Sequence, residues 1–406
     1  MSNTVFVAPF FLPTTLRFVD AVSRLPGVRL GLVSQDPARL LPADLRGRLA
    51  AHTRVENALD IEHLRTGVAQ TAAELGSADR LLGALEELQV PLGELRDEMG
   101  ISGMGGEAAR NFRDKSRMKD VLRTYGLPCA RHVLAGDADA ALAFAEQVGY
   151  PVIVKPPAGS GGRGTFRLET RDQLADCMRM TSPSPDSPAL VEEFIRGDEH
   201  SFDAISINGR VVWHSISHYF PSPLEVLREP WIQWCVLLPR EVDSPRYRAI
   251  RSVAGDVLDA LGMVTGLSHM EWFSRPDGSV AISEVGARPP GAQFTTLISW
   301  AHDFDLYDAW ARLMVFGEFE PRTRPYAAGA AYLRGQGRGK VQRIEGLEEI
   351  YEEVGPLCVE SKLPREGQSP TGSYEGEGYI IVRHPETEVV AEALGKIVSR
   401  VRVELG

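Results

Sequence analysis

Two glutamates on one short hairpin constrain this chain more than any other feature. In HMEWFSRPDGSVAISEVGARPPG, two β-patterned runs flank the turn Arg275-Pro276-Asp277-Gly278. If Ser274 pairs with Ser279, Glu271 faces Ile282 and Glu284 faces His269. The carboxylates are then diagonal neighbours on one face, with Cα atoms roughly 7–8 Å apart. Side chains alternate along a strand, so a one-residue bulge is expected to send them to opposite faces. Like charges this close, flanked by Trp272, Phe273 and Val285, raise one pKa or recruit a cation. One or two carboxylates plus substrate phosphates suit Mg²⁺, which makes Glu271 and Glu284 candidate metal ligands. A pair of solvated glutamates on an exposed sheet face is the other reading. Arg288, four residues on, is placed to meet an anion at the same site.

A second constraint lies upstream, in PVIVKPPAGSGGRGTFRLET. Gly159, Gly161 and Gly164 spell G-x-G-x-x-G, but a dinucleotide fingerprint needs a helix directly after its glycines. Here Thr165 to Leu168 reads as another strand, and a helix starts near Thr170, whose hydroxyl can cap it. The loop is therefore predicted to join two antiparallel strands as a flap. Its glycines let backbone amides approach a polyphosphate, while Ser160 and Arg163 add donors. A Walker A site is excluded, because no Gly-Lys-Ser/Thr closes the loop. Lys155 ends an apolar strand, where an unpaired ammonium is costly to desolvate. A nucleotide phosphate would satisfy it; a snorkelling lysine beside a loose hairpin is the alternative.

Further candidates are weaker when taken singly. Lys115 borders the Met118 and Leu122 stripe of a helix predicted over Asn111 to Tyr125, and either reaches into a cleft or stays a solvated helix charge. Glu192, Glu193 and Glu199 lie beside an apolar strand end, where they can accept from ribose hydroxyls or serve as surface charge. The segment Ser217 to Trp234, rich in aromatics and prolines, is a substrate lid or else core or interface. Histidines show no zinc spacing, and no serine sits in a G-x-S-x-G elbow.

Around these motifs the chain is predicted to form four segments: an α/β lobe over 1–104, a flap-bearing unit over 105–188, a β-rich unit over 189–325, and a mixed unit over 326–406. In the first, Thr4 to Ala8 and Val28 to Val33 read as strands around a helix carrying Leu16, Val19, Val22 and Leu25, the alternation of a parallel sheet. In the third, SFDAISI and RVVWHSIS meet at Asn208-Gly209, and Ser244-Pro245 opens a helix with Tyr247, Ile250, Val253, Val257 and Leu261 inward. A chain of 406 residues exceeds one ordinary core. Acids outnumber bases, 55 to 44, for a net charge of −11, which argues against duplex nucleic acid and anionic membrane as partners. The four cysteines are scattered, the amino terminus lacks a signal-peptide pattern, and no run nears the ~18 apolar residues of a membrane span. A cytoplasmic location is expected.

Taken in order, RDKSRMKDVLRTYGLP with Lys115, PVIVKPPAGSGGRGT with Lys155, LVEEFIRGDEHSFD and the hairpin ending SEVGARPPG resemble the ATP-grasp superfamily of carboxylate–amine ligases. The group making dipeptides or other small amides from amino acids is the most similar. The resemblance implies an ATP-grasp fold of α/β and α+β type, with an N-terminal Rossmann-like α/β lobe and a C-terminal mixed subdomain. It implies that Lys115, Lys155 and the turn of Gly159, Ser160, Gly161, Gly162 and Gly164 hold the ATP phosphates. Glu192, Glu193, Phe194 and Ile195 would form the adenine hinge and Glu199 would bind ribose. Glu271 and Glu284 would hold Mg²⁺, with Mn²⁺ as the alternative ion. Arg288 and Arg163 would act on the transferred phosphoryl group or acyl phosphate. The expected reaction activates a carboxylate as an acyl phosphate and passes it to an amine. An ATP-binding sensor without catalysis, a carboxylase-type enzyme and a small-molecule kinase are the competing readings. Relatives are often dimers, which makes a homodimer one reading and leaves the oligomeric state open. One departure stands out: Gly286 occupies the place where family members often carry asparagine, two residues after the second metal glutamate.

Overall fold

The computed structural model describes residues 1–406 apart from Ser160, Arg163, Pro230 and Trp231. The amino-terminal strand Ser2–Val7 is flanked by parallel partners Val28–Ser34 and Arg80–Leu82, with Ala51–Arg54 outside Val28–Ser34. Both faces of this sheet are covered by helices, which is why its strands read as nearly continuous apolar runs. Helix Pro13–Arg24 buries Phe18, Val19 and Val22 against it, and Ile61–Leu75 starts where the Asp60 side chain accepts from the Glu62 and His63 amides. The alternation predicted for this lobe is what forms.

The predicted helix Asn111 to Tyr125 is two helices. Gly106–Arg113 ends at Asp114, whose carboxylate accepts from the Ser116 and Arg117 amides and starts Lys115–Thr124. The break has a local cause, since an aspartate that caps new N–H groups competes with continuing the helix. It leaves Lys115 at the first helical position, facing inward. Beyond it, four antiparallel strands run in the order His132–Ala135, Ala189–Glu193, Val152–Lys155, Phe166–Leu168. Val152–Lys155 and Phe166–Leu168 enclose the glycine turn as a hairpin. Helix Arg171–Thr181 follows, with Thr170 Oγ1 accepting from the Gln173 amide, as the sequence predicts.

The largest sheet has eight antiparallel strands, ordered Val280–Gly286, Gly266–Ser274, Asp198–Ile207, Arg210–Phe220, Trp234–Leu238, Ala327–Leu333, Gly378–His384, Cys358–Lys362. It runs without interruption across position 325, because Trp234–Leu238 pairs with Ala327–Leu333. Asn208 and Gly209 turn the central hairpin with φ of 51° and 76°, the left-handed pair that a tight two-residue turn requires. Helix Arg248–Leu261, entered through a short 3₁₀ turn at Pro245–Tyr247, buries Ile250, Val257 and Leu261 on one half of the sheet; Val253 is only half-buried. Helix Thr387–Arg400 covers the other half with Val390, Leu394 and Ile397. It comes so close that a Cβ on Gly329 would lie 2.6 Å from Leu394 Cδ1. No helix among the described residues is long and apolar enough to cross a membrane.

Candidate active site

The glutamate hairpin forms the floor of the site, in a register that corrects the expected one. Ser274 pairs with Val280 rather than Ser279, because the turn takes one more residue, closed by Arg275 N–H donating to Ser279 O at 2.9 Å. A bulge then follows: Trp272 opposes Ile282, Glu271 opposes Glu284, and Ser283 has no partner across the ladder. The shifts from turn and bulge add, and the carboxylates end directly opposite each other instead of diagonal. The bulge thus does the reverse of what was expected. A regular ladder in this register would face Glu271 with Ser283 and turn Glu284 beside Met270, which is fully buried.

Three lysines meet this floor. Lys115 Nζ lies 2.8 Å from Glu284 Oε1 and donates to Gly159 O at 2.9 Å, tying the helix start to both hairpin and flap. Burial would raise the Glu284 carboxyl, but Lys115 and Lys155 outweigh it and set it below its ordinary value. Glu192 sits between Lys119 at 2.8 Å and Lys155 at 2.9 Å. Burial again pushes upward, and the two ammoniums hold this carboxyl at about 2. Glu192 is therefore neither displayed toward a ribose nor a surface charge, the two readings open from sequence; its carboxylate is spent inside the wall. Lys155 is lowered by burial and lifted further by Glu192 and Glu284, with a net rise.

Sequence reasoning missed Lys119. Its side chain is fully buried, and beyond Glu192 it donates to the carbonyl of the bulged Ser283 at 2.7 Å. Complete burial and the neighbouring Lys155 leave it below an ordinary lysine even with Glu192 in contact. The signal was present: Lys119 follows Lys115 by one helical turn, between Met118 and Leu122.

Lys115, Lys155, Glu192, Glu271 and Glu284 border a cavity of about 480 Å³. One end is apolar, with Ala130, Ile153, Phe194, Ile195 and Phe273. Arg167 lies over the Phe194 ring at 4.2 Å, and Glu193 is held by Arg131 at 2.7 Å. Glu199 lines the same cavity; burial first, then the like charge of Glu271, push its carboxyl well above the usual range. The turn contributes Gly159, Gly161 and Gly162, and Gly161, Gly162 and Gly164 all have positive φ. A Cβ on Gly162 would meet Leu227 Cδ1 at 2.5 Å, so the flap lies against helix Pro223–Arg228. Ser160 and Arg163 fall outside the described residues.

The other end is polar and draws on distant segments. Arg288 enters it as expected, but its guanidinium is ion-paired with Glu86 of the amino-terminal lobe and donates to Pro289 O at 2.8 Å. Burial opposes the Arg288 charge, and Glu86 more than restores it. His269 Nδ1 lies 2.7 Å from Asp203; burial disfavours its charge, yet Asp203 carries its pKa to about 10, so it is an imidazolium. Glu86, Glu87, Ser373, Tyr374 and Glu375 complete the lining, and no motif pointed to them. Tyr219, Ser222, Leu224 and Trp234 also border the cavity, while Trp234 is 2% exposed; the described residues of the 217–234 segment are wall and core at once, and its Pro230 and Trp231 lie outside the described residues.

The donor set fits a divalent cation. Two carboxylates oppose each other on a cavity-facing hairpin, and an ammonium already stands at one of them. Among the described residues no group of three or more His, Cys, Asp or Glu converges on an ion, so phosphate oxygens and water would supply the remaining ligands. Chemically, the arrangement can take a polyphosphate between the lysines, the glycine turn and the opposed carboxylates, with the Glu86-paired Arg288 guanidinium beyond.

Residues 120–301 match the model of the ATP-grasp domain, a span that includes Lys155, the glycine turn, Glu271, Glu284 and Arg288. The chain is 25% identical over 293 residues to an L-arginine-specific L-amino acid ligase of Bacillus subtilis, covering 71% of this chain and 70% of that one. It is 27% identical over 233 residues to the carbamoyl phosphate synthase large chain of Methanothermobacter thermautotrophicus, covering 56% of this chain and only 21% of that protein. Among solved structures, an L-amino acid ligase from Bacillus licheniformis aligns over 100% of this chain and 99% of its own, with a TM-score of 0.78 at 20% identity.

Proposed function

We propose, from an ATP-grasp domain over residues 120–301 and L-amino acid ligases among the relatives, that this chain joins a carboxylate to an amine at the expense of ATP, with amino acids as substrates. The observation that carries this reading is the opposed pair Glu271 and Glu284, facing Lys115, Lys155 and the glycine turn in one cavity. In this reading adenine lies against Phe194, Ile195 and Ala130, and ribose meets Glu199. Lys115, Lys155 and the turn amides take the phosphates. Glu271 and Glu284 would hold Mg²⁺, which supplies charge neutralisation during phosphoryl transfer.

Lys115 then exchanges its Glu284 contact for phosphate oxygens. Arg288 orients the substrate carboxylate whose oxygen attacks the γ-phosphorus, giving ADP and an acyl phosphate. The flap, already against helix Pro223–Arg228, excludes the water that would hydrolyse that intermediate. An amine displaces phosphate and leaves the amide. A Cβ on Gly286 would lie 3.7 Å from Glu86 Oε2, so the acid side chain of the amino-terminal lobe occupies the neighbouring space. The test is a screen of amino acid pairs for ADP and phosphate release with mass detection of the product. An amide that forms only with ATP and vanishes in Glu284→Ala is the expected result. A phosphorylated product without amide favours a kinase, and nucleotide binding with no turnover in any pair favours a sensor.

A further inference from the structure

A loop far along the chain lines the cavity beside Arg288, and it presents a carboxylate that makes no direct ion pair. Ser373, Tyr374 and Glu375 line the cavity near Arg288, Gly291 and Ala292. The loop is firmly built. Glu377, 4% exposed, accepts from the Gly335 amide at 2.5 Å and the Thr371 amide at 3.0 Å. Thr371 Oγ1 donates to Gly376 O at 3.0 Å, and Gln368 Nε2 donates to Glu377 O at 3.0 Å. Gly376 has a φ of 62°, and a Cβ there would lie 2.5 Å from Leu333 O, so only glycine fits. At the tip, Tyr374 meets Trp234 edge-on at 4.7 Å, and its hydroxyl lies 3.8 Å from where a Gly161 Cβ would be. The loop therefore touches the flap and holds the residue next to Tyr374 at the reacting end.

Among the lining carboxylates, Glu375 shares with Glu87 and Glu199 the lack of an ion-pair partner among the described residues, and it is the one carried by the carboxy-terminal loop beside Ala292. Among the described lining residues, Lys115 has Glu284, Lys155 has Glu192, Arg288 has Glu86 and His269 has Asp203. Burial raises the Glu375 carboxyl, and only the charge of Lys362 and the Ala292 backbone act against it. A half-buried carboxylate that lines the cavity and makes no direct ion pair, with Lys362 acting only through its charge, suits a cation that arrives with the ligand. The amine of a carboxylate–amine ligase arrives as an ammonium, and it cannot attack until it sheds a proton.

We propose that Glu375 is a catalytic base of the amide-forming step, receiving the ammonium of the incoming amine and taking one of its protons. This rests on the ligase reading above. The O–H bond forms on Glu375 as the N–H bond breaks, and the freed nitrogen lone pair attacks the acyl phosphate carbon. The C–O bond to phosphorus-bearing oxygen then breaks, its electron pair leaves with phosphate, and the second amine proton leaves as part of hydrogen phosphate. Glu375 returns its own proton to solvent.

Hydroxylamine separates this step from activation, because it is uncharged at neutral pH and needs no base to intercept an acyl phosphate as a hydroxamate. Glu375→Gln, with saturating ATP, the best acid of the screen and L-alanine as amine, is expected to lose amide formation by about 100-fold or more. Hydroxamate formation from the same acid stays near wild type, which also shows that the variant is folded. Glu375→Asp, a shorter base, recovers part of the amide rate. Amide formation by Glu375→Gln at the wild-type rate overturns the proposal. So does an equal fall in amide and hydroxamate, which marks a structural role. A wild type that makes neither product overturns the ligase reading itself, a failure distinct from the other two.

Discussion

Lys119→Met removes a fully buried ammonium that touches two parts of the site, and its consequences can be worked out in advance. Taking one partner from a buried ion pair costs about 3–5 kcal/mol, because the other charge is stranded. Here Glu192 keeps Lys155 at 2.9 Å, so the lower figure, about 3 kcal/mol, applies. The Ser283 carbonyl loses its donor at 2.7 Å, for about 1 kcal/mol more. That second loss falls on the bulge that sets Glu284 opposite Glu271. If about 1.4 kcal/mol reaches the carboxylate geometry, half-saturation by Mg²⁺ moves roughly tenfold. The assay is ADP release titrated with Mg²⁺ at fixed saturating ATP, beside urea unfolding of both proteins. The expected result is a less stable enzyme with a weakened Mg²⁺ response. A folded Lys119→Met protein with the wild-type Mg²⁺ dependence refutes the argument that Lys119 pins the bulge. A double cycle with Glu192→Gln should show coupling on the order of 1–3 kcal/mol; additivity would break the claimed pair.

Glu271→Gln keeps shape but removes one of the two carboxylates proposed to hold the metal, and turnover should fall on the order of 10²–10³-fold while nucleotide binding, followed by calorimetry, persists. His269 has a folded pKa raised to about 10, so its stabilising contact is complete below roughly 6.5 and disappears as pH rises through about 10. The melting-temperature gap between wild type and His269→Asn should therefore close between those values, and a gap that widens contradicts the Asp203 pairing. Gly162→Val places a branched side chain at a φ of 67° and against Leu227, so the flap should shift and KM for ATP should rise. Unchanged KM, with unchanged proteolysis near the turn, would mean that the flap does not seat there.

Local chemistry accounts for what could be read along the chain. The flap was legible because a strand, a glycine turn and a second strand exclude a helix directly after the glycines. The cap at Thr170 and the Asn208-Gly209 turn were legible because each needs only its neighbours. The break at Asp114 is equally local, but the apolar stripe continues on both sides of it and masks the cap. The hairpin was legible as a pair of acids on one face, yet its register was not. Turn length and the Ser283 bulge each move the ladder by one step, and Lys119, a residue from another element, satisfies the carbonyl that the bulge leaves over.

The amino-acid order by itself determined the chemical kit: two carboxylates, lysines at strand and helix ends, and a turn only glycine can make. Periodicity and capping are short-range, so a linear reading reaches them. Folding decided which charges meet. Glu192 was drawn inward between two ammoniums, Arg288 was matched with Glu86 across the molecule, and Glu375 was left lining the cavity with no direct ion pair. Those outcomes depend on distance and burial, and residues some two hundred positions apart acquire neither until the chain has packed.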